Sequence, residues 1–181
     1  SIEQHLERPF LFFGHSLGAQ VAYATAKRLQ EQSKSPAYLI ASACQAPHLP
    51  LNRKILHNLE DDEFLQELKR YDGTPQEIMN NKELMELLLP MIKADFEVYE
   101  TYHTAPIKLD CPIRVLGGME DNQVTMQELH AWSQLTEQPT EVFHINGGHF
   151  YVDSAGKETV NHVNQVISLV SSTEKLTTIR L

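Results

Sequence analysis

The first part of the chain alternates between short apolar runs and a stretch with helical periodicity. Residues 10–13 form a continuous apolar run, which is typical of a buried strand in a parallel sheet. Residues 19–29 carry apolar side chains at helical spacing, and residues 37–43 form a second apolar run. This pattern predicts strand, helix and strand in succession, which is a parallel βαβ unit.

The segment from residue 47 to residue 104 breaks this rhythm. It has no strand pattern, and it is too long for a simple connection between two strands. Apolar spacing predicts helices over residues 61–71, 82–92 and 94–102, and Thr74-Pro75 is a typical helix start. We interpret this segment as a helical insertion that packs a small core of its own. A lid with an apolar inner surface is compatible with that interpretation.

The alternation of strand and helix patterns resumes after the insertion. Residues 111–118 and 141–145 have the pattern of strands, and residues 124–135 and 159–170 that of helices. The predicted fold class is therefore α/β, with a parallel sheet flanked by helices. The predicted organisation is a core in two pieces and a lid between them, which span residues 1–46, 105–181 and 47–104.

Composition narrows the range of partners. The 181 residues are 41% hydrophobic and 22% charged, and the net charge of −9 argues against a nucleic acid or an anionic membrane as partner. No apolar run approaches the roughly 20 residues of a membrane span, and no secretory signal is visible. Cys44 and Cys111 do not make a disulfide framework, so we expect a cytoplasmic location. We expect neither a metal nor a cofactor.

The residues between the first predicted strand and the first predicted helix include a candidate nucleophile. Gly14-His15-Ser16-Leu17-Gly18 is a Gly-x-Ser-x-Gly motif between an apolar run and a helix, which is the context of a nucleophile elbow. A strained turn there lifts the serine hydroxyl out of the sheet, and we expect side chains at Gly14 and Gly18 to collide. The helix N-terminus supplies backbone N–H groups, and we expect that of Leu17 to stabilise a developing oxyanion.

A serine nucleophile needs a base to accept its proton. Among the nine histidines, His149 follows a predicted strand in a Gly-Gly loop, at the carboxyl ends of the strands, where Ser16 also emerges. His15 adjoins the serine in sequence, so we expect its side chain to point elsewhere. The other histidines occupy predicted lid, helix or mid-strand positions, where a solvated or packed role is the usual one.

The base in turn needs an acid that orients it. Asp121 follows the predicted strand of residues 111–118, whereas Asp110 precedes that strand and lies at the wrong end. Glu120 is the alternative acid, although an exposed loop carboxylate is its simpler interpretation. The order serine, aspartate, histidine is that of the α/β-hydrolases. We therefore predict an α/β-hydrolase fold with a helical lid.

Further segments match a known family, and those in the lid matter most because the elbow fits any hydrolase. They are Ala46-Pro47-His48, Leu59-Glu60-Asp61-Asp62-Glu63-Phe64, Tyr71-Asp72-Gly73-Thr74-Pro75, Leu89-Pro90-Met91-Ile92-Lys93-Ala94-Asp95-Phe96, Tyr99-Glu100-Thr101-Tyr102, Cys111-Pro112-Ile113, Gly117-Gly118, Trp132 and Gly147-Gly148-His149-Phe150. With the elbow and Asp121, they resemble the type II thioesterases of nonribosomal peptide and polyketide synthesis over nearly the whole chain.

This resemblance implies a catalytic triad of Ser16, Asp121 and His149. It implies hydrolysis of acyl or aminoacyl thioesters on the phosphopantetheine arm of acyl or peptidyl carrier proteins, through an acyl-enzyme and without a cofactor of its own. The usual task of the family is editing, the removal of stray groups that block a synthase. Methionine and aromatic side chains on the lid suit an adaptable acyl pocket, so we expect Met91 and Phe96 to contact the substrate.

Two features depart from the family pattern. Lys93 stands where the family usually has arginine, which removes bidentate pairing. Few residues precede Ser16, whereas in this fold several strands precede the elbow and one of their loops gives the second oxyanion N–H. We therefore expect the N-terminal part of the fold to be missing from this chain, which leaves the strand of residues 10–13 as an uncovered apolar edge.

Two other functions remain open at this point. One is a small-molecule serine esterase or acyltransferase of the same fold. The other is a catalytically incompetent piece of a hydrolase that only binds a carrier domain.

Overall fold

Four parallel strands form a sheet in the part of the chain that the structure describes. The computed structural model describes residues 6, 8–71, 73 and 76–179, so the predicted helix start at Thr74-Pro75 lies outside the described residues. The strands are β1 (Leu11–His15), β2 (Tyr38–Ser42), β3 (Ile113–Gly118) and β4 (Thr140–Ile145). They pair in the order β1-β2-β3-β4, and every neighbouring pair is parallel.

Seven helices accompany these strands in the described part of the chain. They are α1 (Leu17–Gln30), α2 (Asp61–Leu68), α3 (Gln76–Met79), α4 (Lys82–Thr101), α5 (Met126–His130), α6 (Tyr151–Ser154) and α7 (Gly156–Ile179). Helix α1 packs against β1 and β2, and α7 packs against β2. The predicted fold class, a parallel sheet flanked by helices, is confirmed.

The inner strand β2 is buried on both faces. Tyr38 and Ile40 join a core cluster with Leu116 of β3 and Val166 of α7. Leu39 points to the opposite face, because side chains alternate along a strand, and it too is fully buried. Strand β1 pairs with β2 alone among the described residues, and Phe13 in it is 39% exposed.

Two predicted helix boundaries are wrong. We predict separate helices over residues 82–92 and 94–102, but α4 is one continuous helix through Pro90. Its apolar side chains, Met85, Leu89, Ile92 and Phe96, recur every three or four residues and pack in one cluster, so burial of a single face outweighs the hydrogen bond that proline cannot donate. The helix predicted over residues 124–135 ends at His130 and continues as a 3-10 turn.

The chain divides into two compact units. One comprises Ser1–Ala46 with Ala105–Leu181, and the other is Pro47–Thr104. The second unit has its own apolar cluster, built around Leu56, Phe64 and Met85. We keep the name lid for residues 47–104 as a prediction of their role.

Polar contacts hold the lid segment together internally. The Glu100 carboxylate accepts hydrogen bonds from the backbone N–H groups of Leu56 and His57 at 2.8 Å and 3.0 Å. Lys93 donates to the carbonyl of Leu59 and to the carboxylate of Asp61 at 2.7 Å and 2.9 Å. Lysine thus makes two separate contacts at the position where the resemblance leads us to expect arginine.

The two ends of the lid segment meet each other. The N–H of Thr104 donates to the carbonyl of Pro47 at 3.3 Å. The first and last residues of this unit are therefore close to each other.

The described residues contain neither a helix that could span a membrane nor a cluster of metal-binding side chains. No helix among them has the length and apolar content needed to cross a membrane. In the same part of the chain, no three or more His, Cys, Asp or Glu side chains are grouped so that they could hold a metal ion.

The two glycines of the elbow motif differ in their surroundings. A Cβ on Gly14 would lie 2.1 Å from the carbonyl oxygen of Gly18, whereas a Cβ on Gly18 would meet no atom within 4 Å. The expectation of a collision is therefore correct for Gly14 and wrong for Gly18. It is the backbone of the helix, and not a side chain, that crosses the strand.

We expect Gly14→Ala to lower the free energy of unfolding by about 3 kcal/mol, at the upper end of overpacking effects. Gly18→Ala is the matched control and should leave stability unchanged or raise it by up to about 1 kcal/mol, because alanine favours a helix over glycine. Urea unfolding followed by circular dichroism measures both variants. Equal losses for the two variants would contradict the close approach at Gly14.

Candidate active site

Ser16 lies at a sharp turn between β1 and α1. Its backbone has φ 52° and ψ −123°, which is a conformation that costs of order 1–3 kcal/mol for a residue with a side chain. The N–H of Ser16 donates to the carbonyl of Ser42 at 2.8 Å, which fixes the turn to the end of β2. The helix begins at the next residue, as the elbow motif predicts.

His149 lies in the loop that follows β4. Gly147 in this loop has φ 119°, a conformation that favours glycine. The loop passes directly over the end of β3, because a Cβ on Gly118 would lie 2.5 Å from the carbonyl oxygen of Gly148. The N–H of Glu120 also donates to the carbonyl of Gly147 at 2.9 Å. These contacts tie the histidine loop to the loop after β3.

Asp121 lies in that neighbouring loop after β3. One of its carboxylate oxygens accepts a hydrogen bond from the N–H of Gln123 at 2.8 Å. The other lies 2.9 Å from Nδ1 of His149. The alternative acid, Glu120, is exposed to solvent. Asp110 precedes β3 and contacts Ser35 instead, at 3.3 Å.

The structure brings Ser16, His149 and Asp121 together in one hydrogen-bonded row. Nε2 of His149 lies 3.1 Å from Oγ of Ser16, while its Nδ1 contacts Asp121. The side chains of His149 and Asp121 are 7% and 2% exposed, respectively. A buried carboxylate on Nδ1 holds the imidazole in the tautomer that leaves Nε2 free to accept a proton from the serine.

The N–H of Leu17 stands at the first position of α1. The first N–H groups of a helix have no partner within the helix, and they lie at its positive end. They are therefore suited to stabilise negative charge that develops beside Ser16.

The two lid residues that we expect to contact substrate, Met91 and Phe96, lie on α4 in the second unit. Met91 is 58% exposed. Phe96 makes edge contacts with the rings of Phe64 and Tyr71, with ring centroids 5.3 Å apart in both cases. Their contact with substrate stays a prediction.

Sequence reasoning missed a polar cluster beside His149. The ring of His15 does not point away from the site, because its centroid lies 5.4 Å from that of His149. Nδ1 of His15 is 2.9 Å from Oγ of Ser42, and that oxygen is 2.5 Å from the hydroxyl of Tyr151. One signal was available in the sequence: His15 follows the first predicted strand by two residues and Ser42 lies near the end of the second, and in the observed register the two are direct partners.

The environment of His15 keeps its imidazole neutral. Burial is the main reason that the pKa of His15 falls from 6.5 to about 4, and the adjacent His149 lowers this pKa further. Asp121, Asp153 and the backbone carbonyl of His149 act in the opposite direction with smaller effects. At neutral pH His15 therefore adds no positive charge next to His149.

Comparison with known proteins identifies the family of the chain. Residues 1–167 match the model of the thioesterase domain. The chain is 36% identical to the linear gramicidin dehydrogenase LgrE of Brevibacillus parabrevis, over 93% of this chain and 64% of that protein. It is 34% identical to the gramicidin S biosynthesis protein GrsT of Aneurinibacillus migulanus, over 93% of this chain and 67% of that protein. The chain thus spans about two thirds of the length of these relatives.

Solved structures of thioesterases are also similar to this chain. YbtT, a type II thioesterase from the yersiniabactin biosynthetic pathway, superposes with a TM-score of 0.82 at 34% identity, and the match covers 91% of this chain and 68% of YbtT. These matches confirm the resemblance to type II thioesterases and the α/β-hydrolase fold that it implies. The chain therefore belongs to the thioesterase family, a family of hydrolases.

Proposed function

We propose that this chain hydrolyses acyl or aminoacyl thioesters on the phosphopantetheine arm of carrier proteins in nonribosomal peptide or polyketide synthesis. The observation that carries the proposal is the row of hydrogen bonds from Asp121 through His149 to Ser16, set on an elbow in a thioesterase fold. The description of YbtT as a type II thioesterase of a nonribosomal peptide and polyketide pathway supports this class of substrate, as does the naming of GrsT for gramicidin S biosynthesis.

The first half of the reaction is acylation of Ser16. Its Oγ attacks the thioester carbonyl carbon while its proton passes to Nε2 of His149, and a tetrahedral oxyanion forms. When the oxyanion collapses, the carbon–sulfur bond breaks and the departing phosphopantetheine sulfur takes the proton from His149. The product of this half-reaction is an ester of the acyl group with Ser16.

The second half is hydrolysis of that ester. A water molecule attacks the acyl carbon as His149 accepts one of its protons, and a second tetrahedral oxyanion forms. Its collapse releases the carboxylic acid, and the proton on His149 returns to Oγ of Ser16. Atoms and charges balance without a cofactor, and both oxyanions form beside the N–H of Leu17.

Asp121 serves both halves in the same way. Its carboxylate accepts the Nδ1 proton of His149 at 2.9 Å and stabilises the imidazolium that forms in each step. Because this pair is almost fully buried, its interaction is screened less by water than a surface pair would be.

The proposed partner is the carrier protein that presents the thioester, and the proposed task is editing. In this proposal the exposed thioether of Met91 contributes to the acyl pocket, since methionine adapts its shape to different chains. Phe96 has a second role in the lid core, so its replacement would also affect stability. The cytoplasmic location stays a prediction from composition.

We expect Asp121→Asn to lower kcat for thioester hydrolysis by about 10⁴-fold, as loss of the orienting carboxylate does in the same constellation elsewhere. Ser16→Ala should abolish both turnover and covalent labelling by a fluorophosphonate. Glu120→Gln is the matched control, because it changes an exposed carboxylate of the same loop, and it should keep kcat within about twofold of the parent chain. A comparable loss in Glu120→Gln would transfer the role of acid to Glu120.

The class of substrate is tested by comparing kcat/KM for an acylated carrier protein with kcat/KM for the same acyl group on a small thiol and on a soluble ester. We expect the carrier protein to be preferred by about tenfold or more, equivalent to about 1.4 kcal/mol, because contacts remote from the reacting bond assist the chemical step. Equal or faster turnover of the soluble ester would favour the esterase function. A folded chain that takes no fluorophosphonate label but binds the carrier protein would favour the non-catalytic function.

A further inference from the structure

Behind the candidate base lies a second hydrogen-bonded row that the proposed reaction does not use. It runs from the hydroxyl of Tyr151 to Oγ of Ser42 at 2.5 Å and from there to Nδ1 of His15 at 2.9 Å. Tyr151 and Ser42 are fully buried. Each member comes from a different element at the carboxyl edge of the sheet, namely β1, β2 and α6.

The row ends against the ring of His149. The rings of His15 and His149 lie 5.4 Å apart between centroids, at an angle of 56°. Phe150 completes this packing, with its ring 5.1 Å from that of His149 and 6.0 Å from that of His15. The ring of Tyr151 also contacts His15, edge on, at 5.5 Å. The imidazole of His149 is therefore held between Asp121 at Nδ1 and the aromatic side chain of His15.

His15 has a polar atom that packing alone does not explain. Its Nε2 is buried and makes no hydrogen bond within the described residues, although the backbone carbonyl of His149 lies near enough to act on its pKa. Burial of an unpaired nitrogen is unfavourable, and an apolar side chain of similar shape would fill the same space without that cost. Packing alone therefore does not account for an imidazole at this position.

We propose that Tyr151, Ser42 and His15 form a positioning row that holds the ring of His149 in the orientation that aims Nε2 at Ser16. This inference rests on the proposed function, in which His149 is the base. Tyr151 donates to Ser42, Ser42 donates to Nδ1 of His15, and the imidazole keeps its one proton on Nε2, on the side of His149. All three are positioning residues, because none of them contacts the reacting atoms.

The neutral state of His15 is part of this role. The titratable groups that act on the pKa of His15 are His149, Asp121 and Asp153. At the far end of the row, burial raises the pKa of the Tyr151 hydroxyl. When His149 takes the serine proton it becomes an imidazolium, and a neutral neighbour does not repel it. A charged His15 would also turn its Nδ1 into a donor and so reverse the direction of the row.

Tyr151→Phe and Ser42→Ala test the proposal, because they break the row without removing an atom of His15 or His149. We expect each to lower kcat for thioester hydrolysis by about tenfold with KM unchanged, equivalent to about 1.4 kcal/mol of transition-state free energy. Thr136→Val is the matched control. It removes a buried hydroxyl that donates to the carbonyls of Leu109 and Cys111, and it should leave kcat unchanged.

A readout that does not depend on turnover separates this inference from the proposed function. The Nδ1 proton of His149, shared with Asp121, gives a low-field proton NMR signal when the ring is fixed. We expect that signal to broaden in Tyr151→Phe and Ser42→Ala and to persist in Thr136→Val. If both row variants keep a sharp signal and a wild-type kcat, the positioning role is wrong. If the unmodified chain shows the signal but no thioesterase activity, the proposed function fails while the signals of the variants still decide the row.

Discussion

The candidate site depends on one close backbone approach. At Gly14 the strand β1 lies so near the first turn of α1 that the carbonyl of Gly18 occupies the space of a Cβ. This approach lets the chain turn from strand to helix within a single residue, and that residue, Ser16, takes up the strained conformation. Because the helix starts at once, the N–H of Leu17 stands at its first position, in the residue after the serine. The proposed nucleophile and the proposed oxyanion donor are thus both placed by this one close approach.

The parallel sheet supplies the remaining groups at the same edge. Ser16, Asp121 and His149 follow β1, β3 and β4, so loops from three different strands converge without any long excursion. At a second close approach, Gly118 packs against the backbone of the loop that carries His149. This contact brings the loops of Asp121 and His149 next to each other. Backbone packing therefore places the three residues close together, and the hydrogen bonds between their side chains add to that arrangement.

Much of this arrangement is local enough to be read from the sequence. Apolar runs mark the four strands, and the rule that chemistry gathers after parallel strands selects Asp121 over Asp110 and His149 over His144. The predictions that were wrong concern contacts in three dimensions, which the pattern of apolar and polar positions does not contain. The continuity of α4 through Pro90 depends on the shared apolar cluster, and the empty space at Gly18 depends on which atom of the helix approaches the strand. The contact of His15 with His149 joins residues 134 positions apart, and only the register of the sheet brings them together.

The hydrogen bond between Thr104 and Pro47 has a consequence for how the inserted segment can vary. Because this bond joins the first and last residues of the inserted segment, the length of chain between them can change while the two ends stay together. Loop closure also becomes only slightly less favourable as a segment grows. Insertions of different length and content can therefore be closed by the same pair of end residues.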